Sequence, residues 1–197
     1  MRVTREQAEQ NRITVLKSAG RLFRDRGFDG VGIADIMRDA GLTHGGFYGQ
    51  FSSKEHLAAE ASRRTIAVTC GRWEKVAARA EADTADTVEA LADFYLSAQH
   101  RGARADGCPL AALAADAARS GPDVQAAFQE GISGHLDILQ RAFDARNGEA
   151  PENREAALAA LSTLVGALIL ARAVGDAPLG AEFLASARDQ LRPHPDG

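Results

Sequence analysis

Apolar positions recur every three to four residues along nearly the whole chain, and nowhere do they alternate for long with a period of two. That pattern predicts an all-α protein. Ile13, Leu16, Ala19, Gly20 and Phe23 share one face of a first helix running from Arg5 to about Arg26, with charges opposite. Gly27 stands where a C-cap glycine belongs, and Phe28 can fold back on the last turn. A second helix starts near Ile33 and ends by Ala40, with Ile33, Ile36 and Met37 inward. Gly41 permits the left-handed residue that stops it. Thr43 is placed to cap a third, short helix from His44 to about Gln50. "SSKE", Ser52 to Glu55, reads as a capping box that opens a long fourth helix from Ser53 to about Ala82. Further helices are expected at 84–100, 108–119, 122–146, 153–175 and 179–191, about nine in all. Gly102, Gly107, Gly121–Pro122, Gly148–Pro151 and Gly175–Pro178 punctuate them. The tail "RPHPDG" is expected to be disordered.

Composition agrees: of 197 residues, 45% are hydrophobic and only 6% aromatic, with six prolines. No basic segment followed by an apolar core opens the chain, so no signal peptide is expected. Two cysteines without an export signal suit a reducing, cytoplasmic setting. The longest apolar run, Ala156 to Ala171, is about one turn short of a membrane span and carries Ser162 and Thr163. A buried interface helix is the expectation there, and no membrane partner. Charge changes the picture more. The net charge of −4 argues against a nucleic-acid binder, yet residues 1–64 carry +3 and the remainder −7. A basic N-terminal third on an acidic body suits a local anionic partner.

That third contains "GLTHGGFYGQF", Gly41 to Phe51. Each interior glycine costs a helix roughly 1 kcal/mol relative to alanine, so Gly45, Gly46 and Gly49 together cost about 2–3 kcal/mol. Stability alone does not call for them. Bare backbone at a helix N-terminus can approach a phosphate closely, which the helix dipole also favours. Thr43 and Tyr48 hydroxyls suit phosphate oxygens; His44 and Gln50 are placed to reach base edges. Lys54 is placed to hold the backbone beside the groove. Helix two, a tight turn and this short helix make a helix-turn-helix, whose second helix enters the major groove. The competing reading, a glycine-rich linker with incidental aromatics, fits less well with caps on both sides and Phe47 and Phe51 at helical spacing.

On these residues the chain resembles the N-terminal DNA-binding domain of the TetR family of transcriptional repressors. The resemblance rests on "ITVLKSAGRLFRDRGFDG" and "IADIMRDAGLTHGGFYGQFSSKEHL", and covers about a quarter of the chain. It departs at Gly32, where Thr or Ser usually caps helix two, at Met37 for the usual Ala, and at Gln50 for the usual His. The resemblance implies DNA contacts at Thr43, His44, Gly45, Tyr48 and Lys54, and Gly46 and Gln50 are included on the residue argument above. It further implies a helix-turn-helix domain over 1–52, an effector-binding and dimerisation domain over 53–197, and an operator released by a small-molecule or electrophilic effector.

The C-terminal stretch "AALAALSTLVGALILARAV" is apolar nearly all round and must be buried on more than one side. A symmetric homodimer built from helices 153–175 and 179–191 would bury it, with Leu161, Leu164, Leu168, Phe183 and Leu184 as interface candidates. Such a dimer reads a pseudo-palindrome in double-stranded DNA, with half-sites about 34–36 Å apart. The family resemblance also implies an effector pocket among the middle helices. Trp73, Phe94, Tyr95, Gln99, Cys108, Phe128, His135 and Leu139 are its candidate lining, each with an ordinary core role as the alternative. In "DGCPLAAL", Pro109 suits the first helical position, which makes Cys108 the N-cap, where a thiolate would face unpaired amides. The segment resembles that of TetR-type repressors that sense electrophiles through a cysteine; the alternative is an inert packed thiol. Cys70, mid-helix, reads as packing. The five histidines form no metal-ligand spacing, no phosphate-binding glycine loop or catalytic triad is present, and no cofactor or enzyme activity is expected. The alternatives to a repressor are an activator with the same domain, or a regulator switched by oxidation or alkylation of Cys108.

Overall fold

Thr4 accepts the N–H of Gln7 at 3.1 Å and starts helix α1, Arg5–Arg26. Gly27, at φ +76°, ends it by donating its N–H to the Phe23 carbonyl. Phe28 then folds back, its ring edge-on to Phe23 at 5.1 Å. The computed structural model describes residues 4–193, so the expected tail from His194 onward lies outside the described residues. Beyond α1 they form α2 (Ile33–Asp39), a 3₁₀ turn (His44–Gly46), α3 (Lys54–Ala82), α4 (Thr87–Tyr95), α5 (Ala98–Gly102), α6 (Pro109–Ala117), α7 (Pro122–Asn147), α8 (Glu152–Ala173) and α9 (Pro178–Leu191). No strand occurs among the described residues.

Two expected starts are realised differently. At α3 the cap is Ser53, not Ser52: its hydroxyl accepts the N–H of His56 at 3.0 Å. Glu55 is thereby released from a capping box and accepts the Gly121 N–H at 2.8 Å instead. The helix expected over 84–100 is two helices, because Ser97 caps α5, accepting the His100 N–H at 3.2 Å and donating to the Phe94 carbonyl at 2.9 Å. Local side-chain bonding of this kind competes with a continuous ladder.

The chain folds into two compact units. One takes residues up to Ala67 together with Cys108–Glu130; the other takes Val68–Gly107 and the chain from Gly131 on. The boundary expected after Ser52 follows the sequence; the packing groups α6 and the start of α7 with the N-terminal helices. In that first unit Val15, Ala19, Leu22 and Phe23 of α1, Ile36 and Met37 of α2, Leu57 of α3, Leu113 of α6 and Val124 of α7 are all buried. Polar ties accompany this core: the Phe28 N–H donates to Asp116 Oδ2 at 3.2 Å, and Arg63 Nε donates to Glu130 at 3.3 Å.

In the second unit Asp86 caps α4, accepting the Glu89 N–H at 2.8 Å. Both of its oxygens also receive Arg146, through Nε at 2.6 Å and through Nη2, and Arg146 reaches on to the Leu191 carbonyl at 3.2 Å. One guanidinium thus joins the ends of α4, α7 and α9. Burial raises the Asp86 pKa, but bonding to Arg146 and to backbone N–H groups outweighs it and holds the group below its ordinary value of 3.8. A carboxyl depressed in the folded state stabilises above its unfolded pKa, and that stabilisation is lost as pH falls below about 3.8. Asp86→Asn, which keeps an N-cap oxygen but removes the charge facing Arg146, is expected to lower stability at pH 7 by about 1–3 kcal/mol and to flatten the acid limb of stability against pH. Urea unfolding of both proteins between pH 2 and 7 checks this; parallel curves would contradict it.

Helix α8 spans 22 residues, and its most apolar 18-residue window has a mean hydropathy of 1.9, long and apolar enough by those measures to cross a membrane, which the shorter expected apolar run did not suggest. Its apolar residues divide between two surfaces. Leu161, Leu164 and Leu168 are buried within the protomer, as is Leu184 of α9, while Phe183 is half-buried. The interface expected at those leucines is therefore occupied by the protomer's own core. Leu158, Ile169 and Leu170 of α8 and Leu179 of α9 are exposed instead, by 40–47%.

Candidate nucleic-acid interface

The turn that follows α2 is built by glycine. Gly41 sits at φ +69°, its N–H donates to the Arg38 carbonyl at 3.1 Å, and the Leu42 N–H reaches the Met37 carbonyl at 2.9 Å. These two bonds are a Schellman closure. At the start of α2, Gly32 has no side chain with which to cap, and Asp35 accepts its N–H at 3.3 Å.

The third helix, expected over His44–Gln50, is a 3₁₀ turn over His44–Gly46 that continues as turns. Its bonds are Gly46 N–H to Thr43 O at 3.0 Å, Phe47 N–H to His44 O at 3.2 Å and Gln50 N–H to Phe47 O at 2.9 Å, all three residues apart. Only Phe51 N–H to Phe47 O, at 3.0 Å, spans four. Three glycines in seven residues explain the shortfall, because each withdraws about 1 kcal/mol from an α-helical ladder. Thr43 has extended N-cap backbone, but its hydroxyl makes no capping bond and lies exposed.

Two aromatic residues pin this segment to the first unit. Phe47 and Phe51 are 0% and 2% exposed, and their rings stack 5.6 Å apart. Tyr48 is 66% exposed, held edge-on to Phe47 at 5.1 Å. His44 is exposed, with its ring 6.1 Å from Tyr48. Thr43, His44, Gly45, Gly46 and Tyr48 therefore lie together on the solvent side of a rigidly anchored turn, with Lys54 half-buried in the first turn of α3. None of Gly45, Gly46 and Gly49 has a positive φ. A Cβ at Gly45 would meet nothing within 4 Å; at Gly46 and Gly49 it would meet atoms only at ordinary contact distance, 3.7 and 3.8 Å. Neither conformation nor internal space asks for glycine at these positions.

Gln50 differs from its expected role. Its side-chain Oε1 is buried without a hydrogen-bond partner, and its backbone carbonyl accepts Arg12 Nη1 at 2.7 Å. Arg12 is a residue that periodicity missed. Its guanidinium lies 4.4 Å above the Phe51 ring and pairs with Glu60, which also receives His56 Nε2 at 2.9 Å. It clamps the C-terminal end of the turn to α1 and α3. Helical spacing showed Arg12 only as one charge on a polar face.

Residues 15–61 match the family described as "Bacterial regulatory proteins, tetR family". Residues 84–179 match "Transcriptional regulator LmrA/YxaF-like, C-terminal domain". This chain belongs to the TetR family. The TetR match covers α2, the turn and the start of α3, so every exposed residue of the anchored turn lies inside it. Among relatives, the HTH-type transcriptional repressor NemR of Escherichia coli K12 is 25% identical over 130 residues, 66% of this chain and 65% of NemR. The chain thus spans about two thirds of the length of that curated relative. The HTH-type transcriptional repressor KstR2 of Mycolicibacterium smegmatis is 32% identical over 73 residues, 37% of this chain and 36% of KstR2. In fold, the reduced form of E. coli NemR superposes with a TM-score of 0.77 at 21% identity, over 93% of this chain and 95% of that one. A TetR regulator from Chloroflexus aurantiacus gives 0.76 at 26% identity, over 94% of each chain.

The residues considered for an effector pocket are drawn from both units. Within the second unit of this TetR-family fold, Trp73 is edge-on to Tyr95 at 5.5 Å and to His135 at 4.8 Å, and all three are buried. Leu139 is buried in the same unit, Gln99 is exposed, and Phe94 is 38% exposed and stacked on His100. Phe128 and Cys108, both buried, belong to the first unit. Cys108 is the N-cap of α6 with Pro109 at the first helical position, and its thiol makes no capping bond.

Proposed function

We propose that this TetR-family chain is a transcriptional repressor that grips a pseudo-palindromic operator as a homodimer and lets go when a small-molecule or electrophilic effector is bound. One observation carries the reading: three glycines lie on an anchored, solvent-facing turn where neither backbone φ nor internal space requires them. The close neighbour they accommodate is outside the protein, and a duplex backbone fits. Thr43 and Tyr48 then hold phosphate oxygens, His44 faces the base edges, Lys54 neutralises a phosphate, and Arg12 keeps the turn in place. Two of the relatives are themselves named as repressors. The homodimer forms through the exposed apolar face of α8 and α9, and the protein is cytoplasmic. Trp73, Tyr95 and His135 mark where effector contacts begin. An effector that prefers the off-DNA conformation by roughly 100-fold, about 2.7 kcal/mol, suffices to empty a moderately occupied operator.

Footprinting on genomic fragments at several salt concentrations tests the proposal. A discrete protected site, weakening steeply with salt, is expected; protection everywhere or nowhere would refute it. On the protected site, Lys54→Ala is expected to weaken binding about equally for all sequences and to reduce the salt slope by about two, one phosphate contact in each half-site. Tyr48→Phe, which removes one hydroxyl from each half-site, is expected to cost roughly 2 kcal/mol, again without altering sequence preference. A change in base preference at one operator position would assign either residue to base reading instead.

A further inference from the structure

We propose that the operator is selected mainly through the shape and deformability of its duplex, with His44 as the one side chain of the anchored turn that touches a base edge. The inference rests on the operator-binding reading and deepens it. All the residues concerned lie in the first unit. Of the positions from His44 to Gln50, Gly45, Gly46 and Gly49 have no side chain, and Phe47 is 0% exposed. Gln50 would suit adenine, which takes an amide oxygen and an amide nitrogen together. Its Oε1 is buried, so that pair of groups is not offered outward. Thr43 and Tyr48 carry hydroxyls that suit phosphate oxygens. His44 remains, exposed, with two ring nitrogens. On the surface of α2, Gly32 and Ala34 offer no polar side chain, and Arg38 is paired with Asp35. The first helix of such a motif crosses the backbone instead of entering the groove.

Selection through the major groove rests on paired donors and acceptors at several base pairs. One imidazole in each half-site supplies a single contact. The turn that carries it is held from several sides. Phe47 and Phe51 are buried and stacked at 5.6 Å, and Gly41 closes α2 behind them. Arg12 Nη1 holds the Gln50 carbonyl at 2.7 Å, its guanidinium lies 4.4 Å above the Phe51 ring, and Glu60 pairs with it. Below Gly46, Met37 Cε of α2 stands 3.7 Å from where a Cβ would be.

Long flexible side chains absorb a misfit between protein and duplex; bare backbone held in this way does not. Its N–H groups require phosphates at fixed places, so the duplex makes the adjustment. Sequences differ in what that adjustment costs: pyrimidine–purine steps kink easily, whereas A-tracts are stiff with a narrow minor groove. The cost is read as affinity, including at base pairs that no side chain reaches.

Base analogues separate the two kinds of recognition, with full-length protein on the footprinted operator and both half-sites substituted alike. 7-Deazaguanine and 7-deazaadenine remove the N7 acceptor from the major-groove edge. Inosine for guanine and 2,6-diaminopurine for adenine remove or add a minor-groove amino group, which changes groove width and stiffness and leaves the major-groove edge intact. Deaza substitution is expected to lower affinity at no more than one base pair per half-site, by about tenfold for one hydrogen bond in each. The minor-groove analogues are expected to change affinity about tenfold or more at several steps where deaza substitution is silent, including base pairs between the half-sites. On operators with natural base changes, His44→Ala should flatten the preference at one base pair per half-site and leave the rest of the profile within about twofold. Deaza sensitivity at two or more base pairs per half-site overturns the proposal, as does silence of the minor-groove analogues. A His44→Ala profile that is unchanged throughout, or that collapses at several base pairs, overturns it too. Absence of any footprint counts against operator binding itself, whereas a sharp footprint with broad deaza sensitivity leaves operator binding standing and removes only recognition by shape.

Discussion

Gly45→Leu is expected to abolish operator binding while the protein stays folded and dimeric. Nothing inside the chain resists the substitution: φ at Gly45 is not positive, and a Cβ there finds no atom within 4 Å. Replacing a glycine of negative φ narrows the unfolded ensemble and raises stability by up to about 1 kcal/mol. A higher melting temperature is thus compatible with lost function. The leucine side chain extends several ångströms from a backbone whose N–H groups are to meet a phosphate. Losing two such contacts, one in each half-site, is expected to weaken binding by at least about 100-fold, or 2.7 kcal/mol. Gly45→Ala should fall between, because one methyl holds the duplex off by less. Gel shift beside thermal melting checks the pair. Leucine-substituted protein that melts normally and binds at parental strength would remove the reason given for the glycines.

The second large effect is expected at α8. Leu158→Glu with Ile169→Glu places two carboxylates on the exposed apolar face of each protomer, four across a two-fold axis. Leu158 is 47% and Ile169 40% exposed, so the protomer's own core is not touched. Across a dimer interface, by contrast, each charge would be buried without a partner, at several kcal/mol apiece. The variant is expected to sediment as a folded monomer. Its operator affinity should fall by about 10²–10⁴-fold, because the second half-site is no longer reached at high effective concentration. Leu164→Ala, which opens a cavity at a residue 0% exposed, should lower stability by about 2–5 kcal/mol through the protomer core instead. A glutamate variant that remains dimeric would move the interface to another surface.

The capping residues and the period of the apolar positions determined most of this fold by themselves. Thr4 and Gly27 bracket α1, and Gly41 closes α2, because caps act within one turn and need no knowledge of distant residues. The glycine-thinned turn was equally legible, since Gly45, Gly46 and Gly49 within two residues of Phe47 or Phe51 are a local fact. Only the tertiary structure decided the rest. The turn proved too short to sustain an α-helix and needs Arg12, 38 residues from Gln50, to hold its end. On α8, apolar nearly all round, periodicity cannot separate the face that fills the protomer from the face left exposed; that division depends on which helices lie alongside. Cys70 Sγ and His135 Nδ1 lie 3.2 Å apart although 65 residues separate them, a contact that follows from how α3 and α7 pack in the second unit. Local sequence sets where helices begin and end, whereas side-chain neighbours across helices are set by packing, which sums over the whole chain.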